Sequence, residues 1–266
     1  MKVVLITGCS SGIGLALAKE FLKYPQQYLV FATVRKISDC DHLQQLGLHP
    51  IQLDVTSPSD ISLAISTVLT TSSGRIDILI NNAGIAYTGP LIDQPMDEIE
   101  QIFKTNVLGP ITLTQQIAPL MIAQRSGLII NVSSLLSLAP TPFYGIYSAS
   151  KAALNNFTEE LRRELKPFNI KVVTLMTGAV ESHTIINNPD IIRYQESIYY
   201  KCVIDYYRKS MNRAVMPVDQ FAATLVSDIT KEKLTSIYYL GKYSLIYRLL
   251  SYCPRWLLDL IFPLPI

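Results

Sequence analysis

Cysteine is scarce and scattered in this chain, charge is sparse, and no long apolar run is present. The four cysteines, Cys9, Cys40, Cys202 and Cys253, include no Cys-x-x-Cys pair and have no His-x-x-x-His partner. That pattern argues against a zinc site and a disulfide framework, and it fits reduced thiols in a cytoplasmic compartment. Charged residues make up 17% and the net charge is +2. Without a basic stripe, that balance offers no footprint for nucleic acid. No window approaches the roughly 18 uninterrupted apolar residues that mark a membrane-spanning helix. The opening Met1–Gly8 is too short an apolar run for a secretory leader. Internal repeats and low-complexity linkers are also lacking, so the 266 residues are expected to form one α/β domain.

What is present is alternation. Val3–Ile6, Leu29–Thr33, Ile51–Leu53, Ile76–Ile80, Leu128–Val132 and Lys171–Leu175 are short apolar runs of the kind buried on both sheet faces. Between them lie helical patterns: Ile13–Leu22 with Pro25 beyond it, Ser59–Leu69 behind Ser57 or Ser59 as N-cap, two patterns in Met96–Ala123 broken near Gly109-Pro110, and Tyr147–Leu165. A helix over Pro217–Thr230 and a seventh strand over Ser236–Leu240 complete the pattern. It predicts a doubly wound parallel sheet of about seven strands, flanked by helices on both faces, the Rossmann-type architecture. Residues 180–216 lack a period and are expected to form a lid over the strand C-termini, where such sheets bind ligands.

Thr7-Gly8-Cys9-Ser10-Ser11-Gly12-Ile13-Gly14 joins the first strand to the first helix. Glycine lets the backbone turn tightly and approach a phosphate closely. The helix N-terminus behind it supplies N–H groups and the positive dipole end. In this position the loop is expected to hold a dinucleotide pyrophosphate. Sites for NAD place an acid after the second strand; here that strand runs into Val34-Arg35-Lys36. Arg35, helped by Ser10, suits a 2′-phosphate, so the expected cofactor is NADP(H), with NAD(H) left open.

Tyr147 and Lys151 stand at i and i+4 and share one helix face. A phenol is a poor acid or base at neutral pH; a lysine cation beside it is expected to lower its pKa into a useful range. Ser134 ends the strand before that helix and is positioned to hold a substrate oxygen. Asn106, on the preceding helical segment, is placed to support a water that links Lys151 to solvent.

With these residues in place, the chain resembles the short-chain dehydrogenase/reductase family. The resemblance rests on Thr7–Gly14, Asn81-Asn82-Ala83-Gly84, Asn106, and Ser134 ahead of Tyr147-x-x-x-Lys151, in order over roughly residues 3–185. It implies that Tyr147 is the catalytic acid/base, that Lys151 tunes it and binds the nicotinamide ribose, that Ser134 orients substrate, and that Asn106 completes a proton relay. It also implies a cofactor pocket made by Gly8, Ser10, Ser11, Gly12, Ile13, Gly14 and Arg35, by Asp54 and Val55 at the adenine, and by Asn81, Ala83 and Gly84. Gly178, Val180 and Ser182 would stand at the nicotinamide end. The family usually has Pro-Gly after the sixth strand, whereas this chain has Thr177-Gly178. The closest likeness is to the branch holding steroid 17β-dehydrogenases, retinol dehydrogenases and acyl-dihydroxyacetone-phosphate reductases, which implies a lipophilic alcohol or ketone. Family members commonly form homodimers or homotetramers.

Phe143, Tyr144, Ile185, Ile186, Tyr194, Ile198, Tyr199 and Tyr200 are candidates for an apolar substrate pocket. The tail, residues 243–266, is apolar and aromatic with Arg248 and Arg255 among the large side chains. It suits a surface resting on a membrane, closure of the pocket, or a dimer interface. Reduction of a small polar or thioester-linked ketone, and a non-catalytic NADP(H) sensor, are the competing readings of function.

Overall fold

The computed structural model describes residues 1–139, 141–181, 194–211 and 214–261. Strands β1 (Lys2–Ile6), β2 (Tyr28–Val34), β3 (His49–Gln52), β4 (Ile78–Asn81), β5 (Gly127–Ser134), β6 (Ile170–Thr177) and β7 (Ile237–Leu240) form a seven-stranded sheet. Their order is β3-β2-β1-β4-β5-β6-β7 and each neighbouring pair is parallel. Helices are α1 (Gly12–Phe21), α2 (Cys40–Gln45), α3 (Pro58–Thr71), α4 (Met96–Phe103), α5 (Gly109–Gln124), α6 (Gly145–Leu165), α7 (Tyr200–Met211), α8 (Val218–Thr230), α9 (Ser244–Leu250) and α10 (Arg255–Ile261). This is the Rossmann-type architecture expected.

The period of two along a strand sorts the core into two layers. Val4 and Ile6 of β1 pack with Leu17, Phe21, Phe221 and Leu225 from α1 and α8. Val3 and Leu5 pack on the other face with Ile61, Ile65, Leu113 and Ile117 from α3 and α5. Burial on both faces explains why these strands read as unbroken apolar runs. Ser57 is the N-cap of α3, its Oγ accepting from the Asp60 N–H at 3.3 Å.

Strand order reverses between β1 and β4, and that reversal opens a crevice at their C-terminal ends. The helix α4–α5 is not broken at Gly109-Pro110. A π-helical turn at Lys104–Leu108 joins the two halves, with the Gly109 N–H donating to the Lys104 carbonyl. Pro110 has no N–H for the carbonyl four residues back, so the wider turn absorbs it without a break.

All four cysteines are free thiols. Cys9 lies inside the glycine loop yet is fully buried, and burial pushes its pKa up to about 12, which makes it an unreactive thiol.

Candidate active site

A cavity of about 340 Å³ occupies the crevice. One end is walled by Gly8, Ser10, Ser11, Gly12, Ile13, Arg35, Asp54 and Val55, the middle by Asn82, Ala83 and Gly84, and the other end by Ser134, Tyr144, Tyr147, Lys151, Thr177, Gly178 and Val180. The fold thus brings most of the residues singled out in the sequence onto one surface.

The glycine loop is shaped for close approach. Gly8 has φ +73° and Gly12 φ +56°, the left-handed region that suits glycine. Thr7 staples the loop to the end of β4: its Oγ1 accepts from the Asn82 and Ala83 N–H groups at 3.0 and 2.9 Å. The Asn82 amide returns the tie, donating to the carbonyls of Thr7 and Gly8 at 2.8 and 3.1 Å. Gly14 lies off the cavity wall. A Cβ there would fall 2.2 Å from the Gly8 carbonyl oxygen and 2.5 Å from the Asn82 amide nitrogen, so its glycine serves loop–helix packing.

Asn81 also departs from the sequence expectation. Its side chain lies in the sheet layer, donating to Asn131 Oδ1 at 2.7 Å, while Asn131 donates to Thr158 at 2.9 Å. Strand alternation turns Asn81 to the face of Leu79 and leaves Asn82, the neighbour the sequence reading passed over, on the cavity wall. Leu53, Gln101, Thr105, Val132, Ser133 and Leu136 are further wall residues that no motif announced.

At the opposite end, Tyr147 is hydrogen-bonded to Ser134. The Leu136 N–H donates to Ser134 Oγ at 3.2 Å. Ser133 and Ser137 flank it through Asn155: Ser133 Oγ donates to Asn155 Oδ1 at 2.5 Å, and Asn155 Nδ2 donates to Ser137 Oγ at 2.7 Å. Lys151 is buried, with Nζ donating to the Val132 carbonyl at 2.7 Å and standing 5.9 Å from the Tyr147 ring centroid.

The electrostatics differ from the expected simple lowering of the phenol pKa. Burial raises the Tyr147 phenol, the Ser134 hydrogen bond opposes that, and Tyr144 adds to it. Burial also lowers Lys151 to about 8. Lys151 is not among the groups that shift the phenol; withdrawal from water is the largest cause acting on both side chains.

Asn106 sits in the π-helical turn, fully buried and off the cavity wall. Its amide brackets Ile85, with Oδ1 accepting from the Ile85 N–H and Nδ2 donating to the Ile85 carbonyl, both at 2.9 Å. Nδ2 also donates to Ser150 Oγ at 3.0 Å, and Ser150 Oγ donates to the Tyr147 carbonyl at 2.7 Å. Asn106 is thereby tied to the turn of α6 that carries Tyr147. Pro110 denies its backbone carbonyl the usual helical N–H, which suits that oxygen to a water.

Among the pocket candidates, Tyr144 is on the wall. Phe143 packs with Val203 and Tyr206, and Tyr199 and Tyr200 join that cluster. Tyr194 is buried against Gly89, where a Cβ would fall 2.2 Å from the phenol oxygen. Ile198 is 84% exposed. Ile185, Ile186 and Ser182 lie outside the described residues.

The comparisons with known proteins agree with this geometry. The family model described as short chain dehydrogenase matches residues 2–190. The chain belongs to the short-chain dehydrogenase family. This dehydrogenase is 39% identical to the short-chain dehydrogenase ptmH of Penicillium ochrochloron, over 98% of this chain and 96% of that one. It is 32% identical to the NADPH-dependent 1-acyldihydroxyacetone phosphate reductase of Saccharomyces cerevisiae, over 97% and 89%. Among solved structures, a short-chain dehydrogenase from Sphingobium yanoikuyae in complex with NADPH superposes with a TM-score of 0.72 at 27% identity, covering 90% of this chain and 87% of that one. The protein is accordingly an oxidoreductase of this family.

Proposed function

We propose that this dehydrogenase interconverts a lipophilic alcohol and its carbonyl compound with NADP(H), through Tyr147, Ser134, Lys151 and Asn106. The observation that carries the reading is the single cavity wall: the glycine loop and Arg35 at one end, the Tyr147–Ser134 hydrogen bond beside buried Lys151 at the other.

The residues fit the cofactor. Gly8, Ser10, Ser11, Gly12 and Ile13 leave room for a pyrophosphate at the N-terminus of α1. Arg35 takes the 2′-phosphate with Ser10. Asp54 and Val55 stand at the adenine, Gly84 in the middle, and Gly178 and Val180 at the nicotinamide; Ser182, expected there as well, lies outside the described residues. When bound, the cofactor supplies or accepts the hydride. Ser134 and Tyr147 hold the substrate oxygen, and the raised pKa keeps the phenol protonated at neutral pH, ready to donate to a carbonyl under reduction. Lys151 would hold the ribose, and a water donating to the Asn106 carbonyl would return from solvent to the Tyr147–Lys151 pair the proton that Tyr147 gives up. Of the lid expected over residues 180–216, residues 182–193 and 212–213 lie outside the described residues.

Leu136 and Tyr144 on the cavity wall near the reacting end support a lipophilic substrate, and the yeast relative's named substrate is an acyl lipid ketone. The test is cofactor oxidation against steroid ketones, retinal, an acyl-dihydroxyacetone phosphate and a β-ketoacyl thioester. Turnover confined to the thioester replaces the lipid reading with the polar-ketone one. NADPH binding without turnover on any member favours the sensor reading. Arg35→Ser is expected to weaken NADPH binding by roughly 10- to 100-fold and leave NADH unchanged, because a charge-assisted contact to the 2′-phosphate contributes ~1.5–3 kcal/mol. Equal effects on both cofactors would remove Arg35 from that role.

The tail supports contact with an anionic membrane. Leu245, Ile246 and Leu249 are exposed on α9, Trp256 and Leu260 on α10, and Tyr252 in the turn between them, beside Arg248 and Arg255. No helix among the described residues is long and apolar enough to cross a bilayer. The surface is suited to lie on one. Tyr247 meets Thr141 at 3.4 Å, which seats α9 near the Ser134 end of the cavity. Trp256 is the chain's one tryptophan and is 69% exposed. Its emission is expected to shift to the blue on adding phosphatidylserine vesicles. An unshifted spectrum sinks the membrane reading and leaves pocket closure or a homodimer or homotetramer interface.

A further inference from the structure

We propose that Asn155 is a positioning residue for the reaction, a clamp that fixes Ser134 relative to the helix carrying Tyr147 without itself touching substrate or cofactor. The proposal rests on the reading of Tyr147 and Ser134 as the groups that hold the reacting oxygen.

Tyr147, Lys151 and Asn155 stand at i, i+4 and i+8 on α6, so they run along one face of the helix. That face meets the end of β5, and each of the three is hydrogen-bonded there. Tyr147 is bonded to Ser134, and Lys151 Nζ donates to the Val132 carbonyl at 2.7 Å. Asn155 Oδ1 accepts from the Ser133 hydroxyl at 2.5 Å.

The other half of the Asn155 amide reaches past Ser134. Its Nδ2 donates to Ser137 Oγ at 2.7 Å, and Ser137 Oγ donates in turn to the Ser134 carbonyl at 2.5 Å. One side chain thus ties down the residue before Ser134 and, through Ser137, the carbonyl of Ser134 itself. Ser134 is the N-cap of the short 3-10 turn Leu135–Ser137, and the Leu136 N–H donates to its Oγ at 3.2 Å. The direction of that hydroxyl is therefore set by the turn. A 3-10 turn of this length is held weakly by its own hydrogen bonds, so ties from a rigid neighbour decide how firmly it stays in place.

An amide suits the post, because it offers an acceptor and a donor on one planar group and uses both here. Ser133 and Ser134 are on the cavity wall, whereas Asn155 and Ser137 are not. Asn155 therefore acts on the reaction through Ser134. The geometry makes this matter: a misplacement of about 1 Å in a group that must meet a reacting atom can cost ~10²-fold in rate.

The test measures NADPH-driven reduction of whichever carbonyl in the panel above the parent reduces fastest. N155A is expected to lower kcat roughly 10- to 100-fold, with NADPH affinity, read by the fluorescence of the reduced cofactor, unchanged. S137A, a smaller change at the partly exposed end of the clamp, should show the same pattern. The deciding background lacks the hydroxyl that is being positioned. S134A is expected to lose about 10²–10³-fold in kcat, the range for one donor to a developing oxyanion. N155A placed on S134A should then lose nothing further, because its effect runs through Ser134. Should N155A fail to fold, S137A on S134A carries the same comparison. A double variant whose loss equals the product of the two single losses overturns the proposal and makes Asn155 a general prop of the fold. Parental kcat in N155A and S137A overturns it too, as does an NADPH affinity that falls in step with kcat. Parental kcat in S134A, or a parent that reduces no carbonyl in the panel, would instead fell the underlying reading of Ser134 and Tyr147.

Discussion

Tyr147→Phe is expected to lower turnover by about 10²–10⁴-fold, the range lost with a positioned general acid, while NADPH binding stays at the parent value. The variant removes one oxygen and little else. The aromatic ring beside Lys151 remains. The tie from this turn to Ser150 and Asn106 uses the Tyr147 backbone carbonyl, which phenylalanine keeps. What disappears is the phenol hydrogen-bonded to Ser134. The pH dependence follows from the sign of the shift. Burial raises the phenol above its ordinary value, so the protonated form that donates to a carbonyl persists through neutral pH. Reductive turnover should hold up to alkaline pH and fall as the phenol ionises; oxidative turnover, which needs the phenolate, should rise over the same interval. Both limbs should vanish in Tyr147→Phe. Steady-state rates in the two directions, with NADPH titrated separately, check this. A variant that retains parental kcat would show that another group delivers the proton.

Much of the fold is legible in the residues because a parallel sheet covered on both faces demands apolar strands. Val3–Ile6 and Leu128–Val132 are recognisable for that reason, and Ser57-Pro58 marks the start of α3 by its cap. The loop and Tyr147–Lys151 are legible because glycines and an i, i+4 pair have few other uses in that order. The misses have causes too. Cys40–Gln45 is a helix of less than two turns, too short to show a period. The proline at 110 reads as a break, yet the π-helical turn that absorbs it depends on packing beyond the local sequence. Asn81 and Asn82 differ by one residue, and only the register of β4 against β5 shows which of them enters the buried polar chain. Thr177 stands where the family usually has proline; its place beside Ser134 is a fact of pairing between strands that lie far apart in the chain.

Lys151→Met is expected to abolish efficient turnover and yet stabilise the ligand-free protein at neutral pH. Lys151 is 4% exposed, and burial displaces its pKa from 10.5 to about 8. The unfolded chain therefore binds more protons than the folded one between about 8 and 10.5, and stability rises with pH across that window. Below it the folded protein carries the full cost of a desolvated ammonium. At about 1.4 kcal/mol per pH unit, that cost is roughly 3 kcal/mol. The Nζ hydrogen bond to the Val132 carbonyl offsets part of it, so the net gain from methionine should be on the order of 1–2 kcal/mol at pH 7. For a chain of this size that is a rise in Tm of several degrees, at ~2–4 °C per kcal/mol. The advantage should shrink as pH climbs through 8 and be gone near pH ~9, beyond which the parent is the more stable, by a margin that levels off once the unfolded-state lysine also loses its proton above 10.5. Thermal unfolding of both proteins across that range measures the difference directly. A methionine variant less stable at every pH would make Lys151 a structural residue held by Val132. The expected crossover would instead mark a cation kept against the interest of the fold. NADPH affinity should fall in the same variant, unlike in Tyr147→Phe, because the ammonium is assigned to the ribose and the phenol to the reacting oxygen.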